Sequence, residues 1–172
     1  MTDTLSVEQK IDYAVAASAV AVEELDVFCE AQGLPLGSVT AWSTAYELGG
    51  KLGVQAMVVN WSPERRRSRL WSEDVKTQLR AFRPRPMRVL ADGNRFTVEE
   101  VKMLTAKSII YTPFFELRVI EDEGKECWFL YWRRVDGSWW PYAGRGHFAS
   151  IEEAVAEVAE DPYQCFRLHP LH

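Results

Sequence analysis

Apolar residues recur at helical spacing from the start of the chain. Val7, Ile11, Val15, Val22, Leu25 and Cys29 form one stripe, with the small Ser18 filling its gap. Ser6 followed three residues later by Gln9 is a capping box, so the pattern predicts a helix over 6–31. Ala14, Ala17 and Ala21 thicken the stripe and would let a second helix approach closely. Gly33, Pro35 and Gly37 end it. A second helical region, 39–61, is interrupted by Gly49, Gly50 and Gly53. Ser62-Pro63-Glu64 and Ser72-Glu73-Asp74 read as further helix starts.

Arg83-Pro84-Arg85-Pro86 cannot be helical throughout, because each proline pushes its predecessor toward an extended conformation. The boundary is set there: a helical region 1–86, then an αβ region 87–172. Met87–Leu90 predicts a strand, and Asp92-Gly93-Asn94 is turn chemistry. Thr97 with Glu100 forms a second capping box and predicts a helix to about Lys107 on Val98, Val101 and Leu104. Phe114–Glu121 alternates, with Phe115, Leu117 and Val119 on one side and Glu116 and Arg118 on the other, which is a strand with one wet face. Glu123-Gly124 turns the chain into a strand over Cys127–Arg134. Asp136-Gly137 predicts a two-residue hairpin turn that sets Arg134 opposite Trp139 and Arg133 opposite Trp140. Each such pair would add about 0.5–1 kcal/mol of cation–π attraction. Ser150-Ile151-Glu152-Glu153 is a third capping box, and its helix stops at Asp161-Pro162. The fold class expected is α+β: a mainly helical N-terminal half, then a small antiparallel β-meander packed with capped helices.

Residues 128–166 resemble an uncharacterised bacterial family of small domains. The residues that carry the resemblance are Trp128, Tyr131-Trp132, Arg134, Asp136, Trp139, Tyr142, Ser150-Ile151-Glu152-Glu153, Asp161, Tyr163 and Cys165-Phe166. The resemblance implies an aromatic hairpin closed by a helix and anchored by the last tyrosine and phenylalanine, and it implies no chemistry. The tail Arg167–His172 departs from the family's ending.

Composition narrows the class. With 172 residues, 47% hydrophobic and 26% charged, the chain falls in the ordinary globular range. Cys29, Cys127 and Cys165 are odd in number and widely spaced, which favours reduced thiols over a disulfide frame. Tyr13–Val22 is too short to cross a membrane, and the N-terminus lacks a signal-peptide layout, so a soluble, cytoplasmic protein with no membrane partner is expected.

The net charge of −5 conceals a pattern: −6 over residues 1–60, +6 over 61–95 and −5 over 96–172. Arg65, Arg66, Arg67, Arg69, Lys76, Arg80, Arg83 and Arg85 make up most of the basic belt. Arginine forks bind phosphate or carboxylate, and the flanking Trp61 and Trp71 would stack on bases. The alternative is that the acidic flanks neutralise the belt within one folded unit. A helix-turn-helix is available at 44–61, with Gln55 and Asn60 as base-reading residues; two packed core helices account for the same stretch. Asp92-Gly93-Asn94-Arg95 resembles the phosphate-binding box of ParB-like nucleotide-handling domains, where the turn precedes a helix start; a plain turn plus N-cap explains it equally. Cys165, His169, His172 and His147 offer no second cysteine pair, so neither a metal nor a cofactor is expected. No Ser/His/Asp set, HExxH, GKS/T loop or GxSxG is present. The function expected is a non-enzymatic binding protein that presents the arginine-rich surface of residues 61–95 to an anionic partner, nucleic acid or an acidic protein. The alternatives are a protein-interaction or inhibitor module using its acidic flanks or aromatic hairpin, and, behind it, a nucleotide-handling enzyme.

Overall fold

A computed structural model describes residues 4–58, 65–82, 86–105 and 108–166. The architecture is α+β. The helices α1 (Val7–Ser18), α2 (Leu25–Gln32), α3 (Leu36–Val58) and α4 (Arg65–Gln78) come first. A five-stranded antiparallel meander follows: β1 (Met87–Asp92), β2 (Arg95–Thr105), β3 (Ser108–Asp122), β4 (Lys125–Arg133) and β5 (Trp139–Pro141). The helix α5 (Ile151–Glu160) closes it.

The capping box at Ser6 forms as expected: the hydroxyl accepts from the Gln9 amide and the Gln9 side chain accepts from the Ser6 amide. The predicted single helix over 6–31 does not form. α1 ends at Ser18, whose hydroxyl donates back to the Ala14 carbonyl at 2.9 Å and meets Ser43 of α3 at 3.0 Å. Such back-bonding bends helices, and the chain re-enters a helix only after a 3₁₀ turn at Val22–Glu24. The alanines act as predicted. Ala14 and Ala17 are buried, and α1 packs on Val39, Trp42 and Ala45 of α3.

α3 consists of two helical halves that meet at Gly50, where φ is 58° and ψ −149°, a region closed to side chains. Gly53 is helical, and its role is close approach: a Cβ there would lie 2.1 Å from the Ala45 carbonyl oxygen. The second half of α3 then wedges Ala56 against Ile120, Cys127, Phe129 and Tyr131 of the sheet. The helix-turn-helix expected at 44–61 is thus not what its described part forms. The bend lies at Gly50, Ala56 is buried and Gln55 is half-buried, so no free recognition face remains; Asn60 lies outside the described residues.

The predicted helix over 97–107 is a strand as far as Thr105; residues 106–107 lie outside the described residues. Phe96 and Val98 point into the core between neighbours on both sides, and Thr97 donates to Glu116 of β3 at 3.2 Å instead of capping a helix. Pairing on both edges overrides the local signal. Met87, Val89, Phe96, Val98, Phe115, Leu117, Val119, Trp128 and Leu130 line one face of the sheet, where α4 (Trp71, Val75), Leu79 just after it and α5 (Ile151, Val155, Val158) cover them. α4 therefore shares the core of the sheet, so the boundary drawn at residue 86 does not separate two cores.

The last hairpin also differs from expectation. Arg133 pairs with Trp139 and Trp132 with Trp140, leaving the connection Arg134–Ser138. Asp136 accepts from the Ser138 amide and hydroxyl, and Gly137 takes φ 86°. The arginine that reaches a ring is Arg134, 4.4 Å from the Trp140 centroid. The closing motif forms: Asp161, in a left-handed conformation, accepts from the Phe166 amide, and Phe166 packs on Tyr142 and Phe115. All three described cysteines are free thiols.

Candidate anion-binding face

Of the belt's described side chains, Arg67, Lys76 and Arg88 are neutralised within the fold. Arg67 bonds Glu121 and Glu126 of the β3–β4 hairpin and lies 5.0 Å from the Trp71 ring centroid. Burial works against its charge, but Glu126 and Glu121 outweigh it and raise its pKa. Glu126 also accepts from the indole N–H groups of Trp71 (2.9 Å) and Trp128 (3.3 Å), so this cluster anchors α4 to the sheet. Lys76 pairs with Glu73 at 2.8 Å and Arg88 with Glu99 at 2.5 Å. Arg69 on α4 and Arg80 in the 3₁₀ turn that follows it (Leu79–Phe82) are exposed and have no ion pair among the described residues. Arg65 and Arg66 open α4. Arg83 and Arg85, like Trp61, lie outside the described residues. Among the described side chains, carboxylate partners therefore interrupt the belt at Arg67, Lys76 and Arg88.

The turn Asp92–Arg95 joins β1 to β2, not a strand to a helix, so the phosphate-binding arrangement at a helix start is absent. Each residue has a different role. The Gly93 carbonyl accepts from Ser68 of α4, and Gly93 takes φ 61°. Asn94 is buried and its amide donates to the Val119 carbonyl at 2.9 Å, tying the turn to β3. Asp92 is exposed at the strand end. In this turn Asn94 Oδ1 and Arg95 Nε are buried with no hydrogen-bond partner among the described residues.

Arg95 lies on the sheet face opposite α4 and α5, directly across from Arg118 of β3. Arg118 is 4% exposed and fully engaged. Its Nε donates to Glu116 at 2.5 Å, and its Nη1 donates to the carbonyls of Met57 at 2.8 Å and Ala56 at 3.4 Å. Its guanidinium stacks 3.9 Å from the Tyr131 centroid. A cation suits those carbonyls, which belong to the C-terminal end of α3. Glu116, 5% exposed, is the carboxylate that the two arginines have between them. Arg95 is left over: its Nε is buried and finds no acceptor among the described residues. Burial first, and the like charge of Arg118 second, hold its pKa below the usual guanidinium range. Arg95, Arg118 and Glu116 together carry one more positive charge than negative; Asp92, exposed at the strand end, adds an attraction to Arg95 smaller than that of Glu116. A buried cation ordinarily has a partner.

Around Arg95 the face is partly covered: Glu99, Glu116, Arg118 and Tyr131 are buried, and α3 packs beside them. Leu90 is exposed, and Thr97 and Arg88 are half-buried. The Arg88 guanidinium lies 3.3 Å from the Tyr111 ring centroid on the same face, which provides a flat stacking platform beyond Arg95. The sequence picked out Arg95 but misplaced it, and it missed Arg118, Glu116 and Tyr131. Alternation in β3 marked Glu116 and Arg118 as one face, and that was the signal to use. The aromatic hairpin is turned inward: Trp139 and Trp140, with Trp42 and Met57, line a cavity of about 360 Å³ against α3. Among the described residues, no group of three or more His, Cys, Asp or Glu is placed to hold a metal, and no helix is long and apolar enough to cross a membrane.

The family profile described as a domain of unknown function (DUF3024) matches residues 58–167, and the chain belongs to that family. The match takes in α4, the sheet and α5, and so includes Arg95, Glu116, Arg118 and Tyr131; α1, α2 and nearly all of α3 precede it. No curated protein and no solved structure matches the chain.

Proposed function

We propose that this chain is a non-enzymatic, cytoplasmic binding protein that takes an anionic partner, nucleic acid first, on the face of β1, β2 and β3 opposite α4 and α5. One observation carries the reading: the Nε of half-buried Arg95 has no acceptor among the described residues, and Arg95 lies across from a second arginine that is already engaged. A phosphate oxygen accepts well from such a donor, because arginine–phosphate pairs are charge-assisted and directional. The Arg88–Tyr111 stack supports nucleic acid over an acidic protein, since bases stack on aromatic and guanidinium planes. The original belt contributes less than its charge suggests, with Arg69 and Arg80 supplying long-range attraction from the opposite side of the sheet.

The experiment is fluorescence anisotropy of a labelled oligonucleotide, single-stranded and duplex, titrated from low to physiological salt. Binding should weaken with a slope of about 0.7 log units per log salt for each phosphate contact on the single strand and about 0.9 on the duplex. Arg95→Gln should remove at least one contact from that slope. No binding of either form at low salt overturns the nucleic-acid reading. Binding that Arg95→Gln leaves unchanged moves the site elsewhere.

A further inference from the structure

We propose that the cleft between α3 and the β4–β5 hairpin binds a free α-amino acid with a large apolar side chain. The cleft forms where two apolar clusters meet. Trp42 belongs to the cluster that joins α1 to α3, Trp139 packs on the cluster that seats Ala56 against the sheet, and Met57 touches both. Small-ligand sites favour such seams between packed units. The volume of about 360 Å³ lies at the low end of the roughly 300–1,000 Å³ of small-molecule sites, which suits a single small molecule.

The lining decides what that molecule is. Its walls are flat and apolar, with Trp42 on α3 facing the hairpin's Trp139 and Trp140 across the cleft. Flat rings of this kind take up a large apolar side chain by stacking or edge contact. Two charges of opposite sign complete the lining, and each keeps a free edge. The Arg134 guanidinium lies 4.4 Å from the Trp140 ring centroid and has no acceptor among the described residues. Asp136 accepts from the Ser138 amide and hydroxyl on Oδ1, while its Oδ2 has no donor among the described residues. The Ser138 hydroxyl in turn accepts from the Trp140 indole N–H at 3.1 Å, so the carboxylate and the guanidinium are both tied to the same ring. A simple anion would meet Asp136 as a like charge, and a simple cation would meet Arg134. A zwitterion satisfies both, with its ammonium on Asp136 and its carboxylate on Arg134. Gly37, in the first turn of α3, also lines the cleft, and a Cβ built there meets nothing within 4 Å.

The test is isothermal titration calorimetry of the full chain at neutral pH with L-phenylalanine, phenylpropionate, phenethylamine and L-glutamate. L-phenylalanine should bind once per chain. Phenylpropionate and phenethylamine, each short of one charge, should bind about tenfold more weakly. L-glutamate, which keeps both charges but has an acidic side chain, should not bind. Arg134→Gln should erase the advantage of L-phenylalanine over phenethylamine, and Asp136→Asn its advantage over phenylpropionate. Both side chains are exposed, so the circular dichroism spectrum should stay that of the parent chain. Gly37→Leu fills the cleft from an open position and should abolish binding. No heat with L-phenylalanine up to millimolar concentration overturns the proposal. Equal affinity for phenethylamine or phenylpropionate overturns the zwitterion, and parent-like binding by Gly37→Leu overturns the site.

Discussion

Arg118 holds three parts of the molecule at one point, and removing it should disclose both the stability and the binding logic of the sheet face. Arg118→Met keeps the length of the side chain and removes its charge. Glu116, 5% exposed, would then retain only the Thr97 hydroxyl at 3.2 Å among the bonds described for it. Breaking a buried pair from one side costs about 3–5 kcal/mol. Loss of the bonds to the Met57 and Ala56 carbonyls adds to this. Arg95, directly opposite, can turn to Glu116 and offset part of it, so a loss of about 3 kcal/mol is expected in urea unfolding. Glu116→Gln should also destabilise, because it leaves two guanidinium groups facing each other without a carboxylate. The double variant removes both charges, and its cost should fall below the sum of the singles by about 0.5–3 kcal/mol. The effects on anion binding should have opposite signs. Arg118→Met turns the trio into a neutral Arg95–Glu116 pair and should weaken oligonucleotide binding at least tenfold, whereas Glu116→Gln raises the local charge and should strengthen it. Additive stabilities, or binding that moves in the same direction in both variants, would refute the charge-imbalance argument.

The two glycines of α3 should fail for different reasons. Gly53→Ala forces a methyl to within 2.1 Å of the Ala45 carbonyl oxygen and should cost about 2–3 kcal/mol despite alanine's better helix propensity, while Gly50→Ala meets nothing nearby but pays about 1–3 kcal/mol in backbone strain; urea midpoints check both. Burial first pushes the Tyr131 hydroxyl up to about 12 from its ordinary 10.0, so the folded state favours the neutral phenol. That stability is complete below pH 10 and disappears as the pH rises to 12, so over this window the parent chain should lose about 2–3 kcal/mol more than Tyr131→Phe in pH-dependent unfolding. The Ser150 hydroxyl accepts from the Glu153 amide at the start of α5, so Ser150→Ala should cost about 1 kcal/mol in thermal unfolding.

The elements that were legible in the sequence are those whose partners lie within one helical turn. Ser6 with Gln9 and Ser150 with Glu153 bond across three residues, and both caps form. Thr97 with Glu100 has the same spelling, yet its segment is a strand, because Phe96 and Val98 find β1 on one side and β3 on the other. The belt shows the same limit at greater distance. A charge count records how many arginines lie between residues 61 and 95 but not that Arg67 finds its carboxylates 54 and 59 residues away, on a hairpin that exists only once the sheet has formed. Arg95 reverses this lesson. Its sequence neighbours suggested a phosphate turn, and that geometry is absent; what makes it a binding candidate is a like charge placed opposite it by antiparallel register, an arrangement that is ordinarily destabilising. A sheet that keeps two arginines face to face, gives one of them several acceptors and leaves the Nε of the other buried with none among the described residues supplies the electrostatic reason behind the proposed anion site. That reason comes from register, so pairing Phe114–Glu121 against an upstream strand was the one inference from sequence that would have exposed it.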